Sequence, residues 1–177
     1  MQVITIEGWY LRAVQAACAP SNSKDPREYL RYVCFDFEHR KAVGTDGPVM
    51  AVAPFAGEDL PASGNLLLAL SGKVPKGWSV VNIYTEANLA KGPKSGQNLA
   101  LVKPDHEWVY PDWKKIHLGS DKPLVCPGLR RIALDHRILT RVLGDAPARL
   151  EFQDETDPVR VLVENSELEI TLAPCRW

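Results

Sequence analysis

The sequence predicts an α+β domain of two strand–helix–three-strand halves, about 1–64 and 119–177, with an inserted hairpin or extra strands across about 65–118. Three observations carry this. Short apolar and β-branched runs are punctuated by Gly, Pro and Asp turns. Two segments are rich in helix formers. The order strand–helix–strand–strand–strand occurs at the start and again at the end, as a repeat of element order rather than of residue identity.

Val3-Ile4-Thr5-Ile6 opens as a strand. Trp9 to Ala19 carries Leu11, Ala13, Gln15, Ala16 and Ala17, which favour a helix, and Pro20-Ser21-Asn22-Ser23 ends it. From Tyr29 to Phe37 the pattern alternates. Val33, Phe35 and Phe37 share one face and Tyr32, Cys34 and Asp36 the other, which predicts a half-buried strand. Glu38-His39-Arg40-Lys41 is a polar turn into Ala42-Val43. Thr45-Asp46-Gly47 pinches the next hairpin, because Gly accepts φ > 0 and Asp bonds its own backbone; Val49 to Phe55 is the returning strand.

Leu66 to Leu70 is too short for periodicity to separate strand from helix. Ser79 to Thr85 and Asn98 to Val102 read as strands, with an exposed loop at 91–96 between them. Glu107 to Ile116 is aromatic-rich with Pro111 at its centre, an edge or connecting segment. Arg130 to Leu134 predicts a strand, and Asp135 caps a helix through Leu143 that Gly144 stops. Ile138, Leu139, Val142 and Leu143 form its buried stripe, with Arg137 and Arg141 one turn apart on another face. Three strands follow, at Ala148 to Phe152, Val159 to Val163 and Leu168 to Leu172.

With 45% apolar and 24% charged residues, the 177-residue chain can bury a core. No apolar run approaches the roughly 18 residues of a membrane helix. The N-terminus lacks the basic start and apolar centre of a secretory signal, so a cytoplasmic protein is expected. Cys18, Cys34, Cys126 and Cys175 are scattered without a C-x-x-C pair, and read as reduced structural thiols. His117 and His136 read as surface groups, and no metal or cofactor is expected. The chain has no Gly-rich phosphate loop, G-x-S-x-G elbow or H-E-x-x-H helix. It is therefore expected to be non-enzymatic, with no catalytic residues. The net charge of -1 hides an asymmetry: residues 114–149 carry 8 Lys and Arg against 3 Asp and Glu, and 150–177 carry 2 against 7. A basic strip on one face is compatible with this, although affinity for DNA scales with the phosphates neutralised.

Three segments in order carry a family likeness: Ala42 to Val52 around Thr45-Asp46-Gly47, Tyr110-Pro111-Asp112-Trp113-Lys114-Lys115-Ile116, and Leu172-Ala173-Pro174-Cys175-Arg176-Trp177. They resemble the Ala-Thr-Asp-Gly-His-Arg-Leu-Ala-Val, Phe-Pro-Asp-Tyr-Arg-Arg-Val and Met-Pro-Met-Arg-Leu segments of the bacterial DNA polymerase sliding clamp (the polymerase III beta subunit). Leu150-Glu151-Phe152 followed by Asp157-Pro158-Val159 is similar to that family's penultimate hairpin. One departure stands out: the His-Arg after the turn is Pro48-Val49 here, which removes two polar contacts.

The resemblance implies a DNA-clamp-like domain with antiparallel sheets outside and two helices on one, DNA-facing side. It implies a processivity factor of bacterial or phage origin that oligomerises around double-stranded DNA and tethers a polymerase or other replication protein by a linear peptide. The chain has material for one of the family's three domains, so a ring would need several copies. The alternative is a clamp-fold module that captures peptides or regulates replication proteins without encircling DNA. By position, the peptide groove is lined by Thr45, Gly47, Pro48, Val49, Pro111, Lys115, Ile116, Pro174, Arg176 and Trp177. Arg130, Arg131, Arg137 and Arg141 are candidate phosphate contacts that would not read sequence. A solvated helix face is the alternative for these arginines. Trp177 fits a groove, an intersubunit contact or a core cap.

Overall fold

The first half follows the predicted order. Strand β1 (Val3–Glu7) runs directly into helix α1 (Gly8–Ala17), and three strands follow: β2 (Val33–Asp36), β3 (Lys41–Thr45) and β4 (Val49–Pro54). A computed structural model describes residues 2–115, 136–151 and 158–173. Next come β5 (Ala56–Glu58), β6 (Asn65–Leu70), β7 (Val80–Tyr84), β8 (Leu89–Lys91) and β9 (Asn98–Val102). The last third supplies helix α2 (His136–Leu143) and strands β10 (Ala148–Glu151), β11 (Val159–Val163) and β12 (Glu169–Leu172). The strand expected at Arg130 to Leu134 and the Asp135 cap lie outside the described residues. Gly144 does stop α2: it adopts φ +60° and its N–H donates to Thr140 O at 3.0 Å.

Among the described residues the strands form a 12-stranded antiparallel sheet in the order β10-β11-β12-β4-β3-β2-β6-β9-β8-β7-β1-β5. Leu66 to Leu70, ambiguous by periodicity, is strand β6. The region between the halves supplies four strands, β6 to β9, in line with the extra strands expected there, and these bridge β2 to β1 within the sheet. Two short strands, β5 and β8, have no sequence signature because three residues cannot display a period.

Helix α1 lies across β3 and β4 and packs against α2, so both helices share one face. The large core sits beneath them, with Leu11, Val14 and Ala17 of α1 against Ala42, Val49, Ala51 and Ala53 of the sheet. The predicted α2 stripe faces this core: Val142 is buried and Ile138, Leu139 and Leu143 pack at its margin. Small residues let the helix come close. A Cβ built on Gly44 would stand 2.1 Å from Val14 O and 2.9 Å from Cys18 Sγ.

The opposite face departs from expectation. Tyr29 to Phe37 is not one half-buried strand; residues Glu28–Arg31 form a 3-10 turn, and all four residues of β2 are buried. The second face is covered because the segment 108–113 straps across it, placing Tyr110 and Trp113 on Cys34, Val43, Met50, Val52 and Leu67. A sheet buried on both faces loses the apolar–polar alternation that marks a half-buried one.

Cys18 and Cys34 are both buried free thiols, and burial pushes each thiol up to about 12. We expect neither to react with a thiol reagent at pH 8 in the native protein, and both to react once urea unfolds it, as mapped by peptide mass spectrometry. Labelling of either at the native rate of an exposed cysteine would contradict this packing.

Candidate functional site

The β3–β4 turn is built by its own side chains. The Thr45 hydroxyl donates to Val49 O at 2.7 Å and accepts the Gly47 N–H at 3.1 Å. Asp46 Oδ1 accepts the Val49 N–H at 3.3 Å. Gly47 sits at φ +102°, where a side chain would be strained. These bonds leave Thr45 and Gly47 at the rim of a hollow on the strap side of the sheet.

That hollow has a volume of about 150 Å³ and is lined by Arg27, Tyr29, Leu30, Thr45, Gly47, Met50, Tyr110, Pro111 and Trp113. Three of the residues chosen from sequence therefore meet there: Thr45, Gly47 and Pro111. Val49 does not line it. Register explains why: Thr45 pairs with Met50 across the hairpin, so Met50 shares its face and Val49 points into the helix-side core. Pro48 is exposed beside the hollow and its carbonyl accepts the Ala173 N–H at 2.8 Å, which brings the end of β12 to the turn. Lys115 is exposed at the end of the strap, 3.6 Å from Asp112. Ile116, Pro174, Arg176 and Trp177 lie outside the described residues.

The strap is latched at its far end. Asp36, buried at the end of β2, accepts the Trp113 indole N–H at 3.0 Å and bonds the His39 backbone N–H and ring Nδ1 at 3.1 and 3.0 Å. Burial pushes the Asp36 carboxyl up, but these hydrogen bonds outweigh it, led by the Trp113 indole, and hold it below the usual carboxylate value. At the near end, Tyr29 meets Tyr110 edge-on with ring centres 5.9 Å apart. The Tyr110 phenol is buried, and that burial raises its pKa well above the ordinary value. Arg27 supplies a cation at the rim, oriented by two hydrogen bonds to Asp25 at 3.0 and 2.7 Å. The hydrogen bonds from Arg27 pull the partly exposed Asp25 carboxyl down to about 2.

Met50, Tyr29, Leu30 and Arg27 escaped the sequence reading. Hairpin register was the available signal for Met50. The other three come from a loop whose path only the tertiary structure shows. With aromatic and aliphatic walls, one cation and exposed turn backbone, the hollow suits a single large side chain of an extended peptide; a drug-sized ligand needs about 300 Å³ or more.

On the helix face, Arg137 is exposed on α2, and Arg141 Nη2 donates to Asp46 Oδ2 at 2.6 Å. Arg12, the basic residue of α1, donates to Pro75 O at 2.9 Å. Arg130 and Arg131 lie outside the described residues. A larger hollow of about 680 Å³ beside the β11–β12 turn holds Lys41, Arg149 and Glu169 among its lining. These charges are committed to ion pairs, Lys41 with Glu169 and Arg149 with Glu151, and do not converge on an empty point. Among the described residues, no three His, Cys, Asp or Glu gather as a metal site, and no helix is long and apolar enough to cross a membrane.

An antiparallel sheet with two adjacent helices on one face is an α+β fold, and it matches that of the DNA sliding clamps. No protein-family model matches the sequence, and no curated relative does. Among solved structures, the DNA polymerase sliding clamp from Bacillus subtilis matches with a TM-score of 0.61 at 14% identity, over 99% of this chain and 64% of that one. The sliding clamp from Pseudomonas aeruginosa matches with a TM-score of 0.62 at 14% identity, over 99% and 66%. The DNA polymerase III beta chain from Streptococcus pneumoniae matches with 0.60 at 11% identity, over 98% and 64%. At these identities the likeness is one of fold, and the chain spans just under two thirds of the clamps' length.

Proposed function

We propose that this chain is a sliding-clamp-like replication accessory protein, a binding protein rather than an enzyme, whose strapped groove captures a linear peptide of a polymerase or another replication protein. The supporting observation is the meeting of Thr45, Gly47 and Pro111, drawn from segments more than sixty residues apart in the chain, around one hollow of side-chain size. In the fuller form of this reading, copies of the chain oligomerise around double-stranded DNA with α1 and α2 inward. Among the described residues the sheet ends at β10 and β5, and such edge strands can pair between copies.

One observation favours the second reading, a peptide-binding clamp-fold module that does not encircle DNA. On the helix face, Arg12 is bound to a carbonyl and Arg141 to a carboxylate. Fewer free cations mean fewer phosphates neutralised, hence weaker binding with a shallower salt dependence.

Light scattering and retention on circular DNA separate the two. A ring former runs as a defined oligomer and stays on circular DNA until the DNA is linearised; a monomer that is not retained sinks the encircling form. For the groove, Arg27→Glu at the exposed rim is expected to weaken binding of a fluorescent polymerase-derived peptide about tenfold or more while the melting temperature holds. Unchanged affinity would remove the groove assignment.

A further inference from the structure

Arg141 reaches from α2 to the Asp46 carboxylate across a sequence separation of 95 residues. Asp46 thereby serves two partners at once. Its Oδ1 closes the turn on the Val49 N–H, and its Oδ2 holds the guanidinium. The same turn puts Thr45 and Gly47 on the groove rim. A single ion pair therefore braces the rim on one face of the sheet from the helix on the other. The pair is also accessible, with side chains 36% and 16% exposed.

We propose that this ion pair couples the two faces: double-stranded DNA drawn to α2 competes for Arg141, releases Asp46 and loosens the turn that forms the groove rim. The proposal rests on the reading of α2 as a DNA-facing helix and of the turn as a groove wall. The energetics permit exchange. An ion pair at the surface contributes only about 0.2–1 kcal/mol, and the Arg141 end of this one is solvent-accessible, so a phosphate can compete for it without unfolding anything. The coupling is reciprocal, so a ligand that orders the turn keeps Arg141 on Asp46 and weakens DNA binding by the same factor. Its sign is negative: each face occupied disfavours the other.

Amide hydrogen exchange at Gly47 and Val49, whose N–H groups are held by Thr45 Oγ1 and Asp46 Oδ1, reads the turn directly. Short mixed-sequence duplex DNA at low ionic strength is the probe, with binding followed separately by fluorescence anisotropy. In the wild type, DNA is expected to speed exchange at both amides by roughly 1.4- to fivefold, the factor that corresponds to one such ion pair. In Arg141→Gln, exchange is already fast without DNA and DNA adds nothing, while Arg141→Lys keeps an intermediate response. Circular dichroism checks that both variants fold. If DNA binds the wild type but leaves Gly47 and Val49 unchanged, the coupling is wrong and the DNA-facing reading survives. If DNA does not bind at all, that reading falls and takes the coupling with it. If Arg141→Gln leaves both amides as slow as in the wild type, the bracing role is refuted whatever DNA does.

Discussion

Gly44→Ala destabilises the domain by about 1–3 kcal/mol, measured as a drop in the urea midpoint at constant slope. The sign is the informative part. In a strand interior, glycine is ordinarily worse than alanine by roughly 0.5–1 kcal/mol, so the exchange would stabilise an unobstructed site. Here the new methyl meets Val14 O at 2.1 Å, and that oxygen belongs to the α1 backbone rather than to a yielding side chain. Helix α1 cannot lift without opening its contacts with β4 and α2. Gly77→Ala is the control, since nothing lies within 4 Å of a Cβ built there; it is expected to be neutral within about 0.5 kcal/mol. A Gly44→Ala protein as stable as the wild type would mean that α1 does not rest on β3.

Asp36→Ala removes the latch of the strap. It leaves the buried Trp113 indole N–H without its acceptor, at a cost of about 1–3 kcal/mol. The strap then loosens and takes Tyr110 and Pro111 off the groove, so peptide affinity falls with stability. Because the chain has five Trp, the Trp113 indole N–H resonance is a cleaner readout than bulk fluorescence. The same bond sets a pH dependence. The folded Asp36 carboxyl is held below its ordinary value, so its contribution is fully present above the unfolded value of about 3.9 and is lost as pH falls through the folded value. With the His39 ring replaced by glutamine, the Trp113 N–H resonance is therefore expected to stay fixed from neutral pH down to about 4 and to move only in more acid solution. His39 shares Oδ2 with the indole, so the test is made in His39→Gln; a shift centred near neutral pH in that variant would assign the latch to another group.

Local signals carried the half of the fold that local chemistry controls. The helix formers of α1, the glycine stop of α2 and the strand at Val159 to Val163 were legible because each depends on residues within one turn or one strand. The Thr45-Asp46-Gly47 turn was legible for the same reason, since its hydrogen bonds are internal. The groove was only partly so. Thr45, Gly47 and Pro111 came from the order of three motifs, whereas Met50 replaced Val49 because pairing register decides which face a residue occupies. Arg141 illustrates the limit on the helix face. Its exposure on α2 agreed with the sequence, but its engagement by Asp46 could not be read from a helix taken alone.

By itself, then, the sequence determined the α+β class, most of the element order and the turn that the groove is built on. Those properties follow from periodicity, propensity and backbone freedom, which act over a few residues. Only the tertiary structure decided that β2 is buried on both faces, that four middle strands bridge β2 to β1, and that Tyr110 and Trp113 close over the sheet. The reason is physical: burial and pairing are set by what arrives from elsewhere in the chain. A strand of Val33, Cys34, Phe35 and Asp36 carries no mark of the strap that lands on it some seventy-five residues later.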